Sequence, residues 1–393
     1  MKIILDRNNI YEYLTSIDFT STSGQISVIN AKNLNILIEV ADDRYLLVKQ
    51  EIHDDCNESE GEFWAAWRID RLVKQFPEFD AKISTFLPRI LHFDPENSIL
   101  IVEYVRDYID LYQYYLQERQ FPIAIPKAIG HLLATIHAQT FDRLDYQHFL
   151  DPDSNRLEWQ GQTDLRESGE LDTSYTAIDI IERLGRITPQ VFATMPLECL
   201  QFFRLYQRFP SLTQAIADLG RSIVPSCLIH NDLKLNNILL DLGWQSPESQ
   251  IIKLIDWERA SWGDPAFDLG CILGSYLEIW LDGLAISNIL SIDESLQLAA
   301  TPLELLQPSL FSLVRSYLDT FPAIVIIRPD YLTRSIQFAG LALIQRIEIT
   351  IDEQQRFGDR GIVMLQVAKQ LLCTPQAAMK TLFAHDFTRS VAK

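Results

Sequence analysis

The stretch Cys227-Leu228-Ile229-His230-Asn231-Asp232-Leu233-Lys234-Leu235-Asn236-Asn237-Ile238-Leu239-Leu240-Asp241 constrains this chain more than any other part of it. A short apolar run delivers His230 and Asp232 to a polar loop, and Asn237 follows just before the next apolar run. Residues 238–241 and 251–255 read as strands, and the polar turn 245–249 between them predicts a hairpin. The second strand ends at Leu254-Ile255-Asp256-Trp257-Glu258, so one hairpin gathers Asp232, Asn237 and Asp256 at its base. A carboxylate and a carboxamide are the hard oxygen donors that magnesium favours. A second carboxylate, not needed for a metal, suits alignment of an attacking hydroxyl and acceptance of its proton.

The first quarter of the chain has a different texture. Residues 26–29, 36–40 and 45–48 are short runs rich in β-branched and aliphatic residues, parted by polar turns, and predict a three-strand meander. Residues 58–76 carry Phe63, Trp67 and Leu72 at roughly helical spacing. Residues 83–91 and 99–105 read as two further strands around the turn Asp94-Pro95-Glu96-Asn97. Five strands and one helix make a small sheet domain. Beyond Tyr104 the pattern turns mainly helical, over residues 111–119, 126–141, 173–184, 197–208 and 211–219 and again from Pro265 onward, with a polar loop expected over 151–172. In Tyr45-Leu46-Leu47-Val48-Lys49 a lysine ends an apolar run. Such a strand lysine is ordinarily an exposed charge, and the hairpin motif is what gives it a second reading.

H-x-D-x-x-x-x-N followed by I-D-W-E and by Gly263-Asp264-Pro265-Ala266-Phe267-Asp268-Leu269 resembles the aminoglycoside phosphotransferase and choline kinase superfamily, distant relatives of protein kinases. The resemblance implies an α+β, two-lobed protein-kinase-like fold: a small antiparallel-sheet N-lobe with one helix over residues 1–105, binding nucleotide, and a larger, mainly helical C-lobe over 106–393. It implies ATP and Mg²⁺ as cofactors. Asp232 is similar to the aspartate that orients the acceptor hydroxyl, and Asn237 and Asp256 to the magnesium ligands. His230 and Asp268 resemble residues that hold the catalytic loop. Lys234 stands where protein kinases carry a lysine that neutralises the transferring phosphate; its plainer reading is a solvated loop lysine. Glu258 resembles the glutamate of choline-kinase-like I-D-x-E and could assist metal or acceptor binding. Lys49 then reads as the lysine that reaches the α- and β-phosphates, with Glu62 favoured as its acidic partner over Glu58 and Glu60. Glu103, Tyr104 and Val105 fall where the family's hinge reads the base through its backbone. His137 reads as a packed, hydrogen-bonded histidine.

Two departures stand out. The turn Val28-Ile29-Asn30-Ala31-Lys32-Asn33-Leu34-Asn35 holds no glycine to let backbone approach phosphate, so side chains such as Asn33 or Asn35, or simply a short turn, are expected to cover the triphosphate. Asn231 replaces the family's commoner glycine, as in choline-kinase-like sequences.

The remaining composition bounds the partners. With 34 basic against 53 acidic residues the net charge is -19, which argues against nucleic acid and suits an amine-bearing acceptor drawn to an acidic site. The five cysteines form no C-x-x-C pair, so neither a disulfide framework nor a zinc site is expected. Charge appears too early at the amino terminus for a signal peptide, and the most apolar segment contains Glu278 and Asp282. No membrane partner and a cytoplasmic location are therefore expected. The acceptor is a hydroxyl, either of a small amine-bearing molecule or of Ser/Thr in a peptide activated for elimination, in which case a partner enzyme would act on the phosphorylated product. A pseudokinase binding module is the alternative from another class; it would normally have lost one of Asp232, Asp256 or Lys49, and all three are present.

Overall fold

The computed structural model describes residues 3–19, 26–29, 33–40, 44–51, 61–150, 176–185, 192, 195–246, 251–286 and 289–383. The chain divides into two compact units, residues Met1–Asp110 with Asn237–Ala260, and Leu111–Asn236 with Ser261–Lys393. The described strands, in chain order, are β1 (Ile26–Ile29), β2 (Leu34–Val40), β3 (Arg44–Gln50), β4 (Ile90–Asp94), β5 (Ile99–Tyr104), β6 (Tyr108–Asp110), β7 (Cys227–Ile229), β8 (Ile238–Asp241), β9 (Ile252–Leu254) and β10 (Ser261–Gly263).

The first unit is built on an antiparallel sheet of order β1-β2-β3-β5-β4. Alternation puts Ile36, Ile38, Val40, Leu46, Val48, Ile99 and Ile101 on one face, because successive strand side chains point to opposite sides. That face packs against Ile10, Tyr13 and Leu14 of helix α1 (Ile10–Ser16). The other face carries Asn35, Leu37, Glu39, Tyr45, Leu47 and Lys49, all half-buried. A second, three-stranded sheet of order β6-β8-β9 holds the hairpin, with Ile238 opposite Leu254.

Three helices accompany the sheets, against one expected. Helix α2 (Phe63–Gln75) ends where expected, since Phe76 precedes Pro77 and is pushed to an extended conformation, φ -118° and ψ 94°. Residues 58–60 of its expected start lie outside the described residues. The strand expected over 83–91 is a correction: helix α3 (Pro77–Ile83) and a 3₁₀ turn, Ser84–Phe86, come first, and pairing begins only at Ile90. Pro77 sits in the first turn, where its missing N–H costs nothing, and Phe79 and Ile83, four apart, are both buried. The β-branched run at Ile83-Ser84-Thr85 concealed this helical spacing.

In its described residues the second unit is helical apart from the two-stranded sheet β7–β10. Its helices are α4 (Leu111–Glu118), α5 (Ala124–Thr140), α6 (Leu144–Leu150), α7 (Ala177–Gly185), α8 (Leu197–Tyr206), α9 (Pro210–Arg221), α10 (Pro265–Asp282), α11 (Ile292–Gln297), α12 (Leu303–Thr320), α13 (Ile324–Ile327), α14 (Tyr331–Gln354), α15 (Asp359–Cys373) and α16 (Pro375–Leu382). The loop expected over 151–172 lies outside the described residues. Helix α10 is buried along nearly its whole length, including Leu269, Ile272, Leu273, Tyr276 and Leu277. It approaches α14 closely at Gly270, where a Cβ would stand 2.7 Å from the Ser335 carbonyl oxygen. No described helix is long and apolar enough to cross a membrane.

Candidate active site

In the second unit, β7 runs straight into the His230–Lys234 loop, and α10 fixes that loop from beneath. The Asp268 carboxylate is fully buried and accepts the backbone N–H of His230 at 2.7 Å and of Asn231 at 3.0 Å, one on each oxygen. Asp268 Oδ2 also lies 3.3 Å from His137 Nε2, and His137 Nδ1 is 2.7 Å from the Tyr317 hydroxyl. His137 and His230 are both buried, and His137 is packed and hydrogen-bonded, as expected. Asn231 has φ 65°, a left-handed conformation that glycine adopts freely and asparagine tolerates better than most residues.

Past this turn the side chains of Asp232 and Lys234 come together, Lys234 Nζ lying 3.3 and 3.1 Å from the two Asp232 oxygens. The Leu235 N–H donates to Ser275 Oγ of α10 at 3.1 Å, tying down the far end of the loop. Asp264 N-caps α10 by accepting from the Ala266 N–H at 3.0 Å. Its other oxygen accepts from the Val224 N–H and pairs with the buried Arg334.

In the first unit, the ends of β8 and β9 meet at Asn237 and Ile255, whose N–H donates to the Asn237 carbonyl at 3.0 Å. Asn237 is buried. The next residue, Asp256, adopts φ 61° and ψ 54° at the entry to a 3₁₀ turn, Trp257–Arg259. Trp257 Nε1 closes that turn on the Leu254 carbonyl at 3.1 Å. A non-glycine residue held left-handed costs about 1–3 kcal/mol and persists where its surroundings over-determine it.

Lys49 extends from β3 to this turn, its Nζ 2.6 Å from Asp256 Oδ1 and 2.5 Å from Glu258 Oε1. Burial alone would favour the neutral amine, but the charges of Asp256 and Glu258 outweigh it and raise the Lys49 pKa. Burial pushes the Glu258 carboxyl up; Lys49 opposes that shift, and the charges of Asp256 and Glu62 add to it. The arrangement corrects the pairing expected from α2. Glu62 precedes the first helical residue and its N–H donates to Glu51 Oε1 at 2.6 Å, while the acidic partners the structure gives Lys49 are Asp256 and Glu258. The rivals Glu58 and Glu60 lie outside the described residues.

The other nucleotide residues expected from the sequence also belong to this unit. Asn35 faces Lys49 directly across the β2–β3 ladder. Glu103 and Tyr104 close β5, opposite Leu46 and Tyr45, and Val105 follows them. The Glu103 N–H is already given to the Arg89 carbonyl at 3.0 Å, so it is not open to a base.

Sequence reasoning missed one cluster in the second unit. On α10, Glu278 pairs with Arg346 of α14, and four residues on, Asp282 accepts from the Tyr112 hydroxyl at 2.9 Å. Burial raises the Glu278 carboxyl to about 7, opposed by Arg346, reinforced by Asp282 and opposed more weakly by Lys234. Two acids four apart in an otherwise apolar helix were the available signal; they served only to exclude a membrane span.

The donor chemistry fits a hard divalent cation. Among the described residues no three His, Cys, Asp or Glu side chains form a metal cluster. Asn237 and Asp256, brought to adjacent strand ends, instead offer an amide and a carboxylate oxygen, the ligand type magnesium takes while keeping several waters.

Residues 81–296, more than half of the chain, match the model of the family described as "Phosphotransferase enzyme family". Among solved structures, ethanolamine kinase from Plasmodium vivax is similar at 13% identity, with 96% of this chain and 93% of that one covered and a TM-score of 0.53. The choline kinase LicA from Streptococcus pneumoniae is similar at 18% identity, covering 93% and 98% with a TM-score of 0.48.

Proposed function

The chain belongs to the phosphotransferase enzyme family, and on that premise we propose that it moves the γ-phosphate of ATP to a hydroxyl group of a small, amine-bearing molecule. The observation that carries this reading is the pairing of a half-buried strand lysine, Lys49, with Asp256 at the end of the β8–β9 hairpin. A half-buried ammonium beside acidic oxygens is a ready-made partner for phosphate oxygens and their counter-ion.

Lys49 holds the α- and β-phosphates, with Glu258 and Glu62 shaping the field around its ammonium. Asn237 and Asp256 would hold Mg²⁺, which when bound neutralises charge on the β- and γ-phosphate oxygens. Backbone groups of Tyr104 and Val105 receive the base, along with the carbonyl of Glu103. Asp232 accepts the acceptor hydroxyl's proton as its oxygen bonds to the γ-phosphorus and the bond to the β,γ-bridging oxygen breaks. ADP leaves with the bridging oxygen. Lys234, ion-paired with Asp232, tempers the charge on the transferring phosphate. Positioning and charge neutralisation supply most of the rate enhancement.

The acceptor class follows from charge. A net -19 and the half-buried Glu278 and Asp282 of α10 favour a cationic acceptor, and the ethanolamine kinase that shares the fold is named for one. The protein works as a cytoplasmic enzyme in this reading.

The test is transfer from γ-labelled ATP, with Mg²⁺, to amino alcohols, aminoglycosides and a peptide fraction, beside Asp232→Ala. Label on an amine-bearing small molecule, lost in the variant, supports the reading. Label confined to peptide moves the acceptor to Ser/Thr, and ATP binding without transfer to any acceptor sinks the catalytic reading.

A further inference from the structure

Lys49 is accounted for, but the residue facing it is not. Asn35 stands on β2 directly opposite Lys49, so both side chains leave the same face of the sheet, with Cβ atoms about 4.5–5.5 Å apart for such a pair. The other face is the apolar core of Ile36, Ile38 and Val48. Asn35 is thus the polar side chain directly opposite the lysine, with Leu37 and Leu47 next along the same face.

Asn35 Oδ1 is buried and has no hydrogen-bond partner among the described residues. An amide end in that position pays desolvation with no return, so the group calls for an explanation, a bound ion or water among them. Lys49 itself donates hydrogen bonds to Asp256 and Glu258, so the amide is no accessory to that ion pair.

The chain leading into β2 supplies the second line. From Val28 to Asn35 it has no glycine, and glycine is what lets a backbone N–H come within reach of a phosphate oxygen. A side-chain donor is then the remaining means of holding phosphate from this turn. Turning the Asn35 amide over exchanges Oδ1 and Nδ2 within the same volume, which presents an N–H from the buried end.

We propose that the Asn35 carboxamide binds the polyphosphate of the nucleotide beside Lys49, as a side-chain anchor in place of a glycine-rich turn. The inference rests on the nucleotide role of Lys49 in the proposed function. It deepens that role by making the site read phosphate number: the contact is available to a triphosphate and absent with a monophosphate.

Calorimetric titration of ATP and AMP into the full chain and its Asn35→Ala, Asn35→Asp and Lys49→Ala variants tests it. Asn35→Ala is expected to weaken ATP binding about tenfold, the worth of one hydrogen bond to a charged group, and to leave AMP binding unchanged. Asn35→Asp should weaken ATP further, by placing a like charge beside phosphate. The melting temperature of Asn35→Ala should not fall, because the lost amide oxygen had no partner; a merely structural residue would lower it. Unchanged ATP affinity in Asn35→Ala, with Lys49→Ala impaired, overturns this inference and leaves the proposed function standing. Equal losses for ATP and AMP overturn it as well. ATP binding that survives Lys49→Ala intact removes the nucleotide role of Lys49 and this inference with it.

Discussion

The carboxylate of Asp268 accepts the backbone N–H of His230 at 2.7 Å from within a fully buried position on α10. Since its second oxygen takes the next N–H, from Asn231, one side chain holds two consecutive amides of the loop leading to Asp232. Asp268→Asn replaces one acceptor by an NH₂ that faces an N–H. The expected loss is about 1.5–3 kcal/mol of stability per charged hydrogen bond broken, with turnover down about 10²-fold from loop misplacement. Denaturant unfolding and steady-state kinetics on the same preparation check both, and an unaltered rate would show that the loop keeps its geometry without the clamp.

Asp232 should behave in the opposite way. Asp232→Ala removes an ion pair with a half-exposed lysine, an interaction worth about 0–1 kcal/mol, so the melting temperature is expected to change little. The rate should fall by about 10²–10⁴-fold, the usual worth of a positioned proton acceptor. ATP affinity measured by titration should stay within a factor of about three. Loss of ATP binding in a folded variant would reassign the residue.

Asp256→Ala removes both a proposed metal ligand and a Lys49 partner. Its expected signature is a raised Mg²⁺ requirement together with lower turnover, read from rate against Mg²⁺ concentration. If the Mg²⁺ titration keeps its midpoint, the residue serves only to hold Lys49.

Much of this was legible in the sequence, and the gaps have common causes. The β8–β9 hairpin and β1–β3 were readable because period-two alternation and polar turns act over a few residues. The placing of Asn237 and Asp256 at neighbouring strand ends was readable because their spacing belongs to that hairpin. Lys49 was readable as a strand lysine, but its partners were not: Asp256 and Glu258 lie 207 and 209 positions away, and no local pattern favours them over the nearby Glu62. Helix α3 was concealed because residues 83–86 have strand composition although Phe79 and Ile83 have helical spacing. The Glu278–Arg346 pair joins two helices far apart in sequence, and only packing brings them together.

Glu278 gives the fold a dependence on pH. Its carboxyl titrates at about 7 in the folded protein against an ordinary 4.5, chiefly through burial. The folded state therefore keeps a proton that the unfolded chain releases above 4.5. The group's stabilising contribution is complete below that value and is lost as pH rises through about 7. The wild-type melting temperature should consequently fall more steeply between about pH 5 and 8 than that of Glu278→Gln, which cannot titrate. Parallel melting curves across that range would mean that the carboxyl ionises normally in its pair with Arg346.

The division of the first unit into residues Met1–Asp110 and Asn237–Ala260 sets an order of events at the ribosome. All of β1 to β5 has been made by residue 104, yet the carboxylates that meet Lys49 come more than two hundred residues after that lysine. At about 5–20 residues per second, roughly 10–40 s of translation separate the lysine from its counter-charges. For the part of that interval after β5 is made, the growing chain carries the strands of the sheet without those two counter-charges. The charge site is thus the last part of the first unit to close, and a chain interrupted before Asn237 holds the lysine but neither Asp256 nor Glu258.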